Sequence, residues 1–548
     1  MKHFYTLLAL AALSCTTAFA QWSTDRNLAT PIFDNGLNVY SDELCVGADG
    51  TTWFFFDHPS SVSVDSVRTA SYQMRLQAWT ADGQRKFGDE GMLISSYNNR
   101  SWTMCNHYLH ANRDSTITLV IHDCRNSTAQ DMSYTAYRIR PDGTHVWDEE
   151  GVPVDNAMVI DYCYFMDIDE LEDGSNVFTW TYSGSDGSNC YVTQQRITKD
   201  GQPQWDPTEM RMSGAYNQWS WVVDAGNNQY IVVYGRSSSL YLTAMKYNAD
   251  GTQAWDKRVT IYDGGFGTIP IWTFVNVISS GDGGVLVSWY DDRDNDNVND
   301  VYIAYVKNDG TLGMTNAEGG ADIKVAYSYN LKYAPDVCLD GMGTGFLVCW
   351  RDMPSGQSWG SVGIQHVLLN GELAWDDCGI SLYDVEPDLY YSDEASYVSI
   401  LPGAEGQFGV FWQRYNNGYY EITTHASIRN LSDGMPVSPA TETINVVEGR
   451  RYCSSLESHL DTVNQRWILK WDDNGASSDE SWENFFLQPL SFDGSMPGAD
   501  AAISQVRADG NTLLDGQLYD LQGHPVTAPS AHGIYLLRQS GATHKILR

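Results

Sequence analysis

Beyond the first twenty residues the chain carries one hydrophobic pattern. Apolar and polar positions alternate over short runs, and each run ends at Gly, Asp or Asn. A period of two puts successive side chains on opposite faces of an extended strand. Tyr134–Ile139 and Val301–Val306 show it. A second kind of run is more continuously apolar, ends near an aromatic and is followed by polar turn residues. Val285–Trp289, Phe346–Trp350, Phe408–Trp412 and Trp467–Trp471 are its clearest copies, and weaker ones end near Phe56, Ile121, Trp180 and Tyr234. No stretch after the start shows the 3.6-residue period of an amphipathic helix.

These strands repeat in register with an Asp-Gly step, once Asn-Gly, which is a hairpin signal between extended runs. It occurs at Asp82, Asp142, Asp200, Asp250, Asp309, Asn370, Asp433 and Asp493, with gaps of 60, 58, 50, 59, 61, 63 and 60 residues. Five positions after the Asp or Asn stands Phe87, Trp147, Trp205, Trp255, Met314 or Trp375 in six units; Ser438 and Gly498 break the rule. Another short strand precedes each apolar run, often across a Gly-rich turn such as Gly281–Gly284, which makes four strands per unit. Eight such units predict an all-β fold, an eight-bladed β-propeller with a seven-bladed ring as the alternative. A string of separate small sandwiches is the weaker reading, because a unit of about 59 residues buries too little surface alone. Trp22–Leu28 resembles the outer strand of a unit, as in Trp255–Val259, and the eighth unit lacks its Trp. Residues 22–33 are therefore expected to complete the last blade and close the ring, hiding an open edge.

Composition adds an address. Lys2, the apolar stretch Phe4–Leu13 and Ala18-Phe19-Ala20 read as a signal peptide over residues 1–20, with Gln21 as the mature start. Cys15 offers a lipoprotein alternative with a poor lipobox. The propeller is then expected over 21–505 and a tail over 506–548. No later segment is long and apolar enough to span a bilayer. The formal charge is -36, with 69 acidic and 33 basic residues. That excludes a nucleic-acid partner, which needs clustered Lys and Arg, and disfavours an anionic membrane surface. Loss of Cys15 leaves nine of the ten cysteines, an odd number that cannot all pair within one chain. Cys45, Cys105, Cys163, Cys338 and Cys453 fall in first strands, where a small residue suits a crowded axis. Cys338 and Cys349 could face each other across a hairpin as a disulfide, and the pairing of the nine mature cysteines is otherwise left open.

The last residues break the period. They run Leu518-Tyr519-Asp520-Leu521-Gln522-Gly523-His524-Pro525-Val526, then Gly533-Ile534-Tyr535-Leu536-Leu537-Arg538, then Lys545-Ile546-Leu547-Arg548. This ending resembles the C-terminal sorting domain of proteins exported by the type IX (Por) secretion system, although His524 stands where that family usually has Arg. The resemblance implies a partner, the type IX machinery, and release or attachment at the outer surface of a Gram-negative cell. The blades resemble the aromatic-rich repeat propellers that often precede such tails. The hairpin Arg140–Trp147 is also similar to the Asp-box of sialidase-type propellers, a structural lock without a catalytic role. Its Gly here comes one place early, and the Ser and Thr of that box are missing.

Chemistry is sparse. No His-x-x-x-His, Cys-x-x-Cys, phosphate loop or Gly-x-Ser-x-Gly occurs, and His107 with His110 make a weak pair. The alternating acids Asp292, Asp294 and Asp296 offer oxygen ligands for Ca²⁺, yet lack the Gly and terminal Glu of an EF-hand loop. A solvated polar loop is the plainer reading. Arg125, Arg236, Arg293, Arg351 and Arg414 follow second strands and would be needed for a sialidase-like carboxylate clamp, although the repeat explains them equally well. Trp102, Trp219, Trp272 and Trp359 lie outside the hairpin rule and are sugar-stacking candidates or core. The first expectation is a non-enzymatic secreted or surface propeller that binds a glycan, peptide or protein. A propeller hydrolase, glycosidase first, and a structural surface-layer component are the alternatives.

Overall fold

The structure, a computed structural model, describes residues 22–23, 30–32, 40–59, 72–95, 107–123, 133–155, 162–183, 190–212, 217–236, 242–263, 275–354, 360–383, 394–416, 421–450, 453–473 and 484–496. In the tail it describes 505–507, 517–519, 534–539 and 542–547. Strand order resolves into eight antiparallel sheets built in chain order, plus a small tail sheet. Blade 1 is Tyr40–Val46, Thr52–Pro59, Tyr72–Trp79 and Met92–Ser95. The first strands of the other seven blades are His107–Ala111, Tyr162–Glu170, Asn217–Gly226, Asn276–Ser279, Leu331–Leu339, Glu394–Pro402 and Cys453–Asp461. Each lies beside the first strand of the next blade, and the eighth returns to the first. The chain is an eight-bladed β-propeller, as the repeat predicts. Blade 3 has three described strands, where Asp200 and Asp250 are spaced most closely.

The cores lie between blades. In six of the eight blades the aromatic near the end of the second strand is buried there: Phe56, Trp180, Trp289, Trp350, Trp412 and Trp471 are all 1% exposed or less. Tyr134 and Ala136 of blade 2, for example, pack with Phe178 and Trp180 of blade 3. A four-stranded sheet of this size has two apolar faces and gains its stability by giving both to its neighbours.

The Asp-Gly step and the large residue five positions later turn out to be halves of one contact. Gly201 has φ 84° and Gly310 φ 82°, a left-handed conformation that glycine adopts without strain. The ring that covers each glycine comes from the previous blade. A Cβ on Gly201 would lie 2.9 Å from Trp147 Cδ1, and one on Gly310 would lie 3.1 Å from Trp255 Cε2. The indoles also donate to carbonyls of the same turns, Trp147 to Lys199 at 2.9 Å, Trp255 to Asn308 at 3.0 Å and Trp375 to Leu431 at 3.2 Å. Phe87 and Met314 cover Gly143 and Gly371 in the same way. Ser438 cannot, and Ile444 with Ile428 covers Gly494 instead.

The N-terminus supplies the missing latch. Thr30–Pro31 pairs antiparallel with Phe486–Leu487 and forms the outer strand of blade 8. Trp22 is 4% exposed. It covers Gly83 of blade 1 and donates to Ala81 O at 2.9 Å. Arg466 of blade 8 donates to the same carbonyl at 2.7 Å, and Gln488 Nε2 donates to Ser23 O at 3.1 Å. The expected closure by the N-terminal segment is thus present.

The cysteines depart from expectation. Register sets Cys338 opposite Leu347 and Cys349 opposite Asp336, and both are free thiols, so the anticipated disulfide is not formed. Cys45 and Cys338 are buried in the cores between blades rather than at the axis. Burial pushes both thiols well above their ordinary range. Cys105 lies outside the described residues.

The tail sheet is ordered 505–507, 542–547, 534–539, 517–519, with its first pairing parallel. It takes in parts of the three sub-motifs quoted above, Leu518–Tyr519, Ile534–Arg538 and Lys545–Leu547; His524 lies outside the described residues. Among the described residues no helix is long and apolar enough to cross a membrane.

Candidate functional site: the central channel

The first strands face the axis, and four of them are broken in the same place. Register slips between Tyr164 and Asp167, Tyr333 and Asp336, Ser396 and Ser399, and Ser454 and Glu457. The residue that opens each bulge is left-handed: Phe165 (φ 51°), Ala334 (φ 46°), Tyr397 (φ 48°) and Ser455 (φ 54°). None is glycine, so each costs about 1–2 kcal/mol relative to ordinary backbone. A bulge turns the following side chains aside and bends the strand.

Those re-aimed side chains staple neighbouring blades along the channel wall. Asp167 accepts the Val222 N–H at 2.8 Å, and Asp169 accepts the Asp224 N–H at 2.6 Å. Asp336 accepts the Ile400 N–H at 3.0 Å. Ser399 and Ser458 hydroxyls meet at 2.7 Å, and Tyr108 OH accepts the Met166 N–H at 3.1 Å. Asn276 donates to Pro335 O. These contacts join blades 2 to 3, 3 to 4, 5 to 6, 6 to 7 and 7 to 8. They depend on bulge positions that no periodicity announces, and nothing in the repeat pattern foretells them.

A cavity of about 690 Å³ opens between the first strands of blades 5 to 8, lined by Asn276, Asp336, Arg351, Tyr397, Glu457 and His459 among others. Its charges are partly buried. Burial lifts the Asp336 carboxyl to about 6 against the two backbone N–H groups that hold it down. Burial likewise lifts Asp167 to about 7. Glu43, on the first strand of blade 1, is raised to about 8, first by burial and then by the charge of Glu457. Glu457 accepts from Lys470 at 2.9 Å and lies 3.6 Å from His459 Nε2. Burial lowers Lys470 to about 7 in spite of the charge of Asp472; the lysine is 1% exposed on its side chain while Glu457 is 42% exposed. His110 is held below its ordinary value by burial, although Asp169 lies 3.8 Å away.

The Glu43 shift has a testable sign. Its folded value exceeds the unfolded one, so folding takes up a proton, and the stability it gives is complete below pH 4.5 and lost as pH rises through 8. Glu43→Gln removes that dependence. The melting temperature of Glu43→Gln minus that of the parent should widen from pH 5 to pH 7.5. A gap that stays flat over that range would refute the burial of the carboxyl there.

The candidates named from the sequence are scattered. Asp292 accepts the N–H groups of Asp296 and Asn297, each at 3.1 Å, Asp296 accepts that of Val298 at 2.9 Å, and Asp294 is exposed. Among the described residues no three His, Cys, Asp or Glu side chains are gathered as a metal site. The Ca²⁺ expectation for this loop rests on its sequence alone. Arg293 is bound to Asp291 and Asp322 and lies over the Tyr302 ring. Arg351 lines the channel cavity, and Arg414 sits 5.0 Å over the Tyr383 ring. The three are not drawn together as a clamp; Arg125 lies outside the described residues, and Arg236 ends a second strand. His107 packs edge-on to Phe55, with ring centroids 4.7 Å apart. Of the four unassigned tryptophans, Trp219 is described. It stands on the first strand of blade 4 with Phe165 edge-on to it at 6.1 Å. Trp102, Trp272 and Trp359 lie outside the described residues.

No family model matches the chain, and no curated protein matches it. Among solved structures it is similar to the polysaccharide lyase Uly1, with 10% identity over 73% of this chain and 93% of that one, at a TM-score of 0.41. It is similar to a protein of unknown function from Dyadobacter fermentans, with 11% identity over 84% and 96% of the two chains and a TM-score of 0.36. A prolyl endopeptidase aligns with 12% identity over 69% of this chain, at a TM-score of 0.38. The chain spans 46% of that endopeptidase's length. Likenesses this distant carry no weight for function, and the fold assignment stands on the strand order of this chain itself.

Proposed function

We propose that this protein is an exported propeller that holds a ligand in its central channel and does no chemistry on it. The single observation that carries the reading is the channel cavity of about 690 Å³. Two of its polar side chains staple the wall: Asp336 holds the next blade's backbone, and Ser399 is hydrogen-bonded to Ser458. A carboxylate that fixes an amide is a poor nucleophile and a poor base, whereas a stapled, pre-formed wall suits recognition. The export half of the reading comes from the sequence. Residues 1–20 have the form of a signal peptide, and the last 43 residues resemble a type IX sorting tail. Together these support a role at or beyond the outer surface of a Gram-negative cell.

One observation favours a hydrolase instead. Glu43 is raised to about 8 while its neighbour Glu457 is paired with Lys470. A raised acid beside a second carboxylate is the pairing that glycoside hydrolysis uses. The test offers the mature protein a panel of polysaccharides and glycoproteins, reading both retention and released sugar. Retention without release is the expected result. Release that vanishes in Glu457→Gln would establish the hydrolase and end the binding-only reading.

A further inference from the structure

Two of the four bulges do something that stability alone does not explain. Phe165 is 51% exposed and Tyr397 is 45% exposed, each on a first strand that faces the axis. Each is also left-handed, a conformation that disfavours bulky side chains. Backbone strain and exposed aromatic surface thus fall on the same residue, twice. The two bulges share a position along their strands, each opening two residues before the stapling Asp167 or Ser399. They belong to blades 3 and 7. In a ring of eight these blades are four apart in either direction, so the two bulges lie on opposite sides of the ring.

We propose that Phe165, backed by Trp219, and Tyr397 form a two-sided aromatic clamp for a carbohydrate chain, and that this chain is neutral or carries amino sugars. The proposal rests on reading the channel as a binding site. A pyranose ring presents apolar C–H faces to aromatic planes and hydroxyls at its rim. The cavity beside Tyr397 offers the matching polar groups in Asn276, Asp336, Arg351 and Glu457. A uronate-rich chain is disfavoured by the protein's net charge of -36. A peptide is the poorer fit. It would add as a strand to the free edge of a first strand, and the bulges interrupt that edge in blades 3, 6, 7 and 8.

The clamp makes an unusual demand of its test variants: they should lose binding without losing stability. Glycine accepts the left-handed backbone freely, and Asn tolerates it. Tyr397→Gly and Tyr397→Asn should therefore melt at or above the parent temperature. Both should bind neutral oligosaccharides such as glucan, mannan and chitin fragments about tenfold more weakly. Phe165→Gly should weaken the same ligands by a similar factor. The assay is titration calorimetry on the full mature chain against those fragments, polygalacturonate and mixed-sequence peptides. Unchanged affinity for the neutral sugars in all three variants would overturn the clamp and leave the channel reading standing. Binding of peptide or polygalacturonate in their place would overturn the ligand class. If the parent retains no ligand of any class, the channel reading itself falls.

Discussion

Trp22→Ala destabilises the whole propeller by about 3–5 kcal/mol, more than its place near the start of the chain would suggest. The magnitude is that of deleting a large buried aromatic from a packed site. Trp22 covers Gly83, stacks with Trp79 at 6.5 Å between ring centroids, and lies beneath the Arg466 guanidinium at 5.5 Å. Its indole N–H shares the Ala81 carbonyl with Arg466. The loss therefore removes apolar burial and leaves a hydrogen-bonded seam half occupied. The damage should be local before it is global, since each blade depends chiefly on its two neighbours. Hydrogen exchange should quicken first in Asn484–Ser491 and around Trp79–Arg85, at denaturant levels where blades 3 to 6 remain protected. Trp22→Phe should recover much of the stability, because it restores a ring over Gly83 without the N–H. If Trp22→Ala unfolds within about 1 kcal/mol of the parent, the segment decorates the ring and does not close it.

Arg138→Met carries the second large effect, also about 3–5 kcal/mol, for an electrostatic reason. Arg138 is fully buried between blades 2 and 3. It donates to Glu170 at 2.7 Å, to Asp114 at 3.1 Å and to the Thr116 hydroxyl at 2.8 Å. Glu170 is 3% exposed and also accepts the Arg113 N–H at 2.7 Å. Removing the guanidinium leaves a buried carboxylate without its counter-charge. Removing both charges leaves no buried carboxylate without its counter-charge, so Arg138→Met with Glu170→Met should recover much of the loss, the Arg113 N–H that Glu170 held being the part not recovered. Denaturant unfolding of the four species measures this as a coupling energy. Additive effects would mean that the pair does not stabilise as a unit.

Much of this architecture was legible because it repeats. The Asp-Gly step, the aromatic five residues later and the apolar second strand all recur near every 59 residues, and each has one local physical cause. The clasp was legible for the same reason: the eighth unit lacked a Trp that residue 22 could provide. What stayed hidden is what breaks the repeat. The bulges at Phe165, Ala334, Tyr397 and Ser455 have no turn residue to mark them, since none is glycine. Their staples reach 55 to 64 residues along the chain and appear only once two blades lie side by side. Cys338 and Cys349 misled because two residues of one hairpin face each other only if the turn length allows it, and here the register is offset. The site was least legible of all. Arg293 and the Asp292–Asp296 run attracted notice through composition, while Phe165 and Tyr397 look like ordinary strand aromatics until their φ and exposure are known.

The clasp also sets an order of events. The contact from Gln488 to Ser23 joins residues 465 apart. A chain that emerges from its N-terminus delivers Trp22 first and its partners in blade 8 almost last. Until then the finished blades form an open arc with a bare sheet at each end. A truncation before Gln488 leaves that arc permanently unclosed, whereas one after Met496 keeps every contact of the seam. Closure of the ring therefore waits on the last blade of the chain.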